Sequence, residues 1–389
     1  MMKQKLSLGI LGLWIAPLAL AGGFEKTTSL GARAAAMGGV GAAYNNTVSA
    51  AFYNPALFKY VNTWTMGVDF LPTVTTSNAF FPSSNSPGAQ LNSNAGFLPI
   101  FNIAGVGRLS DRMVAGLAVN TPAGLKSRTE IPGTAAVAEV DFRVLEVAPF
   151  VVVDLGQGLS VSAQYRAAYA TYDSAVTKAF TIKDMTGTNF SGARVGLAYE
   201  LAQNWHWGLS VRNATTTTLS GKVDVGNVVN APLKLQDVTY PWSFLSGVAY
   251  VANDEAFTVA LDTQYTLYNQ VTSLDYDLNN LDVATNWNNT FKVMVGGEFK
   301  VARNWFARVG TGLHTAVTNA AFDSQLFTPP GMGYSVGTGM GYRLDQWAVD
   351  LSYGVDLGRG TGTVRNASAP TDHTAAAYSV GLSLNYTAI

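Results

Sequence analysis

The sequence predicts an all-β fold, a transmembrane antiparallel β-barrel of about 14 strands. Short hairpin turns, such as 109–112, 202–204 and 344–346, alternate with long polar stretches, such as 76–95 and 316–330. Between them lie segments in which apolar residues alternate with small or polar residues. This alternation is expected for a wall that has lipid on one face and the barrel lumen on the other.

Composition supports the barrel over a bundle of membrane helices. Charged residues make up 13% of the chain, aromatic residues 11%, and there are 39 glycines. After the first 21 residues no apolar run reaches the ~18 residues that a spanning helix needs. The formal net charge of −1 does not indicate a nucleic-acid partner. The absence of cysteine excludes disulfides, thiolate metal sites and cysteine nucleophiles.

Residues 1–21 are predicted to be a cleaved signal peptide. Two lysines precede an apolar stretch that ends in the small residues of Ala19-Leu20-Ala21, so the mature chain is expected to begin near Gly22. An exported β-barrel belongs in an outer membrane. We therefore expect the protein in the outer membrane of a Gram-negative bacterium, in contact with lipid and lipopolysaccharide.

The barrel wall, residues 63–389, shows the alternation strand by strand. In 305–313 the residues from Trp305 to Leu313 at odd positions should face lipid, which turns Arg308 toward the lumen. Inverting that register would cost about 2–4 kcal/mol for a charge at mid-depth. The alternation fails in 140–152, at Glu146 and Pro149, which predicts a bend or bulge there.

The predicted lumen contains several charged side chains that form either an interior hydrogen-bonded network or a binding site for a ligand carboxylate. The inward residues are Arg166, Arg194, Arg212, Lys292, Arg308, Arg343, Asp262 and Asp350. Four of these cations are the candidate carboxylate partners: Arg166, Arg194, Lys292 and Arg308.

Residues 22–62 do not have the pattern of barrel wall. Residues 31–41 are rich in glycine and alanine, and small side chains allow close packing. This segment is therefore predicted to fold inside the lumen as a plug, so the barrel is not an open porin.

At these residues the chain resembles the FadL/TodX family of outer-membrane transporters for fatty acids and other hydrophobic compounds. The resemblance lies in Gly23-Phe24, the small-residue stretch 31–43, the Asn54-Pro55-Ala56 motif, the hairpin 199–212 and Val238-Thr239-Tyr240-Pro241. It implies a 14-stranded barrel closed by an N-terminal hatch. Hatch and gate residues would be Phe24, Phe52, Asn54, Pro55 and Ala56.

The third strand contains a feature that disturbs a β-ladder. Residues 113–119 alternate regularly, but Asn120 is followed by Pro122, which has no N–H to donate, and by Gly124, which favours a bulge. The resemblance implies that a kink here releases ligand sideways into the membrane. The alternative is that Pro122 begins an ordinary external loop.

The predicted function is passive uptake of hydrophobic small molecules, foremost long-chain fatty acids, through a ligand-gated hatch and a lateral exit. Aromatic or alkane hydrocarbons are the alternative ligands, and a barrel accessory of secretion or conjugation is the alternative role. A monomer without cofactors or nucleic-acid partners is expected.

An enzyme is the remaining class of function. Gly333-Tyr334-Ser335-Val336-Gly337 fits a nucleophile motif, but that motif needs a strand-to-helix elbow and the alternation here continues as one strand. His206 is expected near the periplasmic rim and His373 in an outer loop, so the two should not share a triad. Histidine spacing indicates no metal site. No catalytic residue and no metal ligand are therefore predicted.

Overall fold

The computed structural model describes most of the chain from residue 30 onward. The predicted signal peptide 1–21 and the predicted gate residue Phe24 lie outside the described residues. In the described part, no helix is long and apolar enough to cross a membrane. The described residues are 30–83, 86–94, 96–130, 137–177, 180–226, 228–277, 281–323, 328–363 and 371–388.

Within these ranges the chain forms strands that all belong to one sheet. Their bounds are β1 (Trp64–Ser83), β2 (Ser86–Asn94), β3 (Gly96–Ser110), β4 (Met113–Glu130), β5 (Val137–Gly156), β6 (Leu159–Val176), β7 (Phe180–Ala202), β8 (Trp205–Arg212), β9 (Thr215–Val225), β10 (Val228–Tyr240), β11 (Ser243–Val251), β12 (Phe257–Thr266), β13 (Ser273–Tyr276), β14 (Leu281–Ala284), β15 (Thr290–Ala302), β16 (Trp305–His314), β17 (Gly333–Leu344), β18 (Trp347–Gly362) and β19 (Thr371–Thr387).

The sheet closes into a barrel because the first and last strands pair. The β1–β19 ladder is antiparallel and runs from Thr65 opposite Thr387 to Phe80 opposite Asp372. Three wall strands are each interrupted once, so that β2 with β3, β8 with β9, and β10 with β11 each count as one. β13 and β14 form a small additional hairpin at the outer end. The closed 14-strand antiparallel barrel is thus confirmed.

The two ends of the barrel differ in the way that the sequence predicts. Short turns join the strands at one end, here called the turn end, and Gln157 and Asp345 adopt positive φ angles of 52° and 50° there. At the opposite, outer end the predicted long polar stretches 76–95 and 221–238 are largely paired strand. Ladders need backbone groups only, so they continue where side chains no longer alternate.

The predicted alternation of inward and outward side chains is confirmed in β7, β12 and β16. One prediction was wrong: β5 has no bulge at Glu146. Every second residue from Ala138 to Val152 is buried, and Glu146 faces inward in step with them. The irregularity lies instead in the neighbouring strand β4, where the register against β5 shifts between Asn120 and Ala123.

Residues 30–61 lie inside the barrel and are almost entirely buried; we call them the plug. The plug contains helix α1 (Ala32–Ala36), helix α2 (Ala50–Tyr53) and a 3-10 helix (Pro55–Tyr60). Its backbone rests directly on glycines of the wall. A Cβ atom at Gly208 would lie 1.9 Å from the Ala42 carbonyl oxygen, and one at Gly337 would lie 2.0 Å from that of Ala35.

Candidate functional site

A cluster of buried charges joins the plug to the wall. Arg33 of α1 donates through Nε and Nη2 to Glu298 of β15, at 3.1 and 2.9 Å. Glu298 is also paired with Arg308 of β16, which in turn lies 2.9 Å from Asp350 of β18. Bidentate arginine–carboxylate pairs fix orientation as well as distance. The cluster therefore holds α1 in one position against three wall strands.

Wall side chains also bind the plug through its backbone. The Asp262 carboxylate of β12 accepts hydrogen bonds from the N–H groups of Gly41 and Ala42, at 2.7 and 2.8 Å. On the opposite side, Val48 N–H donates to Oδ1 of Asn385 at 2.9 Å. These bonds satisfy plug groups that have no partner within a regular helix or strand. The plug is thus tied to the wall on several sides.

The plug is fixed at the turn end as well. Tyr60 donates to Glu200 at 2.6 Å, and the Lys59 ammonium lies 2.9 Å from the same carboxylate. Burial and the hydrogen bond to Glu200 raise the pKa of Tyr60 above its usual value, so its hydroxyl stays protonated as the donor. Arg108 of β3 donates to the carbonyl oxygens of Lys59 and Val61, both at 2.6 Å.

Asn54, a predicted hatch residue, connects three segments. Its Nδ2 donates to the carbonyl oxygens of Ala42 at 2.9 Å and Leu197 at 2.8 Å, while its Oδ1 accepts from Ala56 N–H at 3.2 Å. It thereby caps the 3-10 helix that Pro55 begins. Asn54, Pro55 and Ala56 are all buried.

Replacing Asn54 by alanine should destabilise the protein by about 1–3 kcal/mol, because the buried Ala42 carbonyl oxygen and the partly buried Leu197 carbonyl oxygen would lose this donor. The midpoint of guanidinium unfolding, followed by tryptophan fluorescence in detergent, measures this effect. Asn46→Ala is the control, since Asn46 lies in the same plug but is exposed. Equal midpoints for the two variants would contradict the anchoring role of Asn54.

An apolar cluster fills the outer half of the lumen, beyond the plug. Its side chains come from the outer parts of β4 to β7, from β9, β10 and β13, and from the connections after β12, β14 and β16. All are buried, and several are large aromatic residues. Members include Leu125, Phe142, Tyr172, Leu219, Tyr240 and Trp287.

Two buried arginines lie between the plug and this apolar cluster. Arg194 and Arg212 face each other across the β7–β8 ladder and line a small cavity of about 20 Å³ together with Phe52 of the plug. Arg194 contacts the neutral Gln164 amide oxygen at 3.1 Å and lies 5.1 Å from the Phe52 ring. Arg212 lies 5.2 Å from the ring of Tyr240, a member of the apolar cluster.

The other predicted carboxylate partners lie in different surroundings. Arg166 is paired with Glu146 at 2.6 Å, and Arg308 belongs to the charge cluster below the outer half. Lys292 is buried and interacts electrostatically with the carboxylate of Asp356. Of the four predicted carboxylate partners, only Arg194 therefore lies between the plug and the apolar cluster. Arg212, which was predicted only to face inward, lies there beside it.

The predicted break in the third strand lies beside the apolar cluster. β3 pairs with β4 from Ser110 opposite Met113 to Asn102 opposite Asn120. Pairing on this side of β4 then resumes at Arg128, which lies opposite Asn94 of β2. Among the described residues, 121–127 thus have no ladder partner on this side. Ala123 and Leu125, within this interval, belong to the apolar cluster.

At the break, β4 bends inward across β3. A Cβ at Gly96 would lie 1.7 Å from the Lys126 carbonyl oxygen, and that same oxygen accepts from Thr75 Oγ1 of β1 at 2.9 Å. A Cβ at Gly124 would lie 2.8 Å from Cδ1 of Leu98, so the leucine side chain fills the space above this glycine. The local sequence indicated Gly124 but not Gly96 or Leu98, which lie on another strand.

Comparisons with known proteins agree with this architecture. A family model described as outer membrane protein transport protein (OMPP1/FadL/TodX) matches residues 12–388. Among the curated proteins, none matches the chain.

Three solved structures share the fold at low identity. A FadL homologue of Pseudomonas aeruginosa has 14% identity and a TM-score of 0.76, covering 94% of this chain and 99% of that chain. The toluene transporter TodX of P. putida has 15% identity and a TM-score of 0.70, covering 93% and 99%. The toluene transporter TbuX of Ralstonia pickettii has 16% identity and a TM-score of 0.66, also covering 93% and 99%.

Proposed function

Since the chain belongs to the OMPP1/FadL/TodX family of outer membrane transport proteins, we propose that it is a passive channel for long-chain fatty acids with a lateral exit at the break in β4. Its membership in this family establishes the transport of hydrophobic compounds across the outer membrane of a Gram-negative bacterium. The fatty-acid ligand and the route through the wall are the proposed parts.

The fixed plug is the observation that supports a lateral route. Salt bridges and hydrogen bonds tie the plug to the wall from Arg33 to Val61, so a straight path along the barrel axis would require many buried bonds to break. At the break 121–127 a ladder is already missing, so opening it would need movement of the Leu98 side chain and loss of few bonds, such as the one from Thr75 to the Lys126 carbonyl oxygen. An apolar ligand that leaves through the wall enters lipid directly.

Apolar side chains lie on both faces of the wall at the break. Leu125 of the cluster and Leu98 are buried on the lumen side, and Phe97, which is 52% exposed, faces outward. These residues mark the proposed path. Exchange of one apolar contact for another costs little free energy, so a ligand can follow this path down its concentration gradient. Asn120, Pro122 and Gly124 would keep the passage free of a ladder.

The pair Arg194 and Arg212 supports a carboxylate-bearing ligand. Both guanidinium groups are buried and line the same small cavity, and an anion bound there would form charge-assisted hydrogen bonds with them. A fatty acid would place its carboxylate here and its acyl chain in the apolar cluster above. Displacement of Phe52, whose ring packs on Arg194, would then signal ligand arrival to Asn54 and Pro55, with Phe24 completing the gate.

Aromatic hydrocarbons are the second candidate ligands. Two of the similar solved structures are toluene transporters, and a neutral hydrocarbon would need the apolar cluster but neither arginine. We further propose that the barrel acts as a monomer, since one chain provides the wall, the plug and the complete path, and that its outer end contacts lipopolysaccharide.

Uptake of labelled oleate and toluene by cells without their own transporter distinguishes the two ligand classes. With Arg194→Met and Arg212→Met together, oleate uptake should fall by about tenfold, the effect of losing ~1.4 kcal/mol of binding, while toluene uptake stays unchanged. Arg303→Gln, an exposed turn-end variant, is the control. Uptake of toluene alone by the wild type would replace the fatty-acid proposal. Uptake of neither ligand by folded barrel would favour an accessory role.

A further inference from the structure

Three polar side chains from separate elements meet in the outer half of the barrel. Ser77 Oγ of β1 lies 3.1 Å from Nε2 of His373, and Nδ1 of the same imidazole lies 3.3 Å from Oδ1 of Asp323. His373 was predicted in an outer loop, but it lies in β19 and faces inward. Asp323 ends the 3-10 turn Ala320–Phe322 in the connection between β16 and β17.

The order of these contacts is that of a serine nucleophile, a base and an orienting carboxylate. The contact between Nδ1 and Asp323 favours the imidazole tautomer that carries its proton on Nδ1. Nε2 is then the acceptor of the Ser77 hydroxyl proton, as a general base must be. A serine, histidine and aspartate with these roles recur on unrelated folds, so geometry and not sequence position identifies them.

The three side chains differ in burial, and the difference suits catalysis because only the nucleophile has to meet the substrate. His373 and Asp323 have fully buried side chains, whereas Ser77 is half-buried and therefore reachable. Ser77 is two residues from Thr75, whose hydroxyl binds the Lys126 carbonyl oxygen at the break in β4. Lys126 adjoins Leu125 of the apolar cluster. The hydroxyl thus lies near the proposed hydrophobic path.

From this geometry we propose that Ser77, His373 and Asp323 form a hydrolytic site for hydrophobic carboxylic esters, such as esters of medium- or long-chain fatty acids. The proposal rests on the proposed path for hydrophobic ligands, which would deliver the ester. Hydrolysis would release an acid and an alcohol at the start of that path.

The reaction balances with water as the co-reactant. Ser77 Oγ attacks the ester carbonyl carbon while His373 Nε2 takes the hydroxyl proton, and Asp323 stabilises the imidazolium through Nδ1–H. Nε2 then protonates the departing alkoxide, which leaves as the alcohol, while the acyl group stays bound to Ser77 Oγ as an ester. A water molecule attacks this ester, its proton passes to Nε2, and the acid leaves as Ser77 recovers its proton.

Purified full-length protein in detergent, incubated with p-nitrophenyl octanoate, tests the activity. Ser77→Ala should reduce the rate to the level of detergent alone, and Asp323→Asn should reduce it by about 10³-fold or more. Ser379→Ala is the matched control, because Ser379 lies on the same inner face of β19 and is buried. A fluorophosphonate should label wild-type Ser77 covalently, which mass spectrometry of the digested protein detects without any variant.

Wild-type hydrolysis equal to that of Ser77→Ala, or absence of label on Ser77, would overturn the proposal and leave the three side chains as a tie between loop and wall. Toluene uptake separates this outcome from failure of the transport proposal. Toluene contains no ester bond, so the wild-type protein should take it up whether or not Ser77 acts as a nucleophile. A wild-type protein that takes up toluene but does not hydrolyse the ester would therefore contradict the hydrolytic proposal and leave the transport proposal intact.

Discussion

Replacing Gly124 by valine should lower the uptake of hydrophobic ligand about tenfold or more, because a barrier increase of ~1.4 kcal/mol already gives that factor. A Cβ at this position meets Leu98 at 2.8 Å and the Phe142 carbonyl oxygen at 3.2 Å. The further methyl groups of valine would occupy the space between β3 and β4 through which we propose the ligand leaves. Initial uptake rates of labelled oleate and toluene measure the effect.

Gly105→Val is the matched control for this experiment. Gly105 lies on β3 within the intact ladder to β4, opposite Leu117, and a Cβ there would meet no atom within 4 Å. Both variants add the same side chain to the same region of the wall, and only one of them fills the break. Equal uptake by the two variants, at equal amounts of folded barrel, would show that ligand does not pass between β3 and β4.

Replacing Glu298 by glutamine should loosen the plug. The variant leaves Arg33 and Arg308 buried without the carboxylate that they share, and breaking such a buried pair costs about 3–5 kcal/mol. Because this cost falls on contacts of the plug and not on the β-ladders, we expect a folded barrel with a leaky lumen. Planar-bilayer recordings should show higher conductance, and cells should become sensitive to large polar antibiotics.

Glu139→Gln is the control for the loss of a charge. Glu139 pairs with Arg128 at 2.5 Å, but both side chains are about half exposed, at 48% and 57%. Exposed pairs contribute about 0–1 kcal/mol, so this variant should conduct like the wild type. An unchanged conductance in Glu298→Gln as well would mean that the remaining bonds, such as those to Asp262, suffice to hold the plug.

Some features of the candidate site follow from local sequence. Pro122 and Gly124 indicate a disturbed ladder because a proline has no N–H and a glycine tolerates a bulge. The bulge expected at Glu146 was wrong. Glu146 interrupts a run of apolar residues at the even positions of β5, but it faces inward in step with them and is paired with Arg166 on the next strand.

The sequence by itself determined the barrel, its strand number of about 14, the inward or outward direction of side chains in strands such as β7, β12 and β16, and the plug of small residues. These are local properties, since side chains alternate with a period of two along any strand. Only the closed structure decided which inward groups meet. Arg33 and Glu298 are 265 positions apart, and Ser77 and His373 are 296 apart. Contacts at such separations arise from strand register, barrel closure and the position of the plug, which no short stretch of sequence specifies.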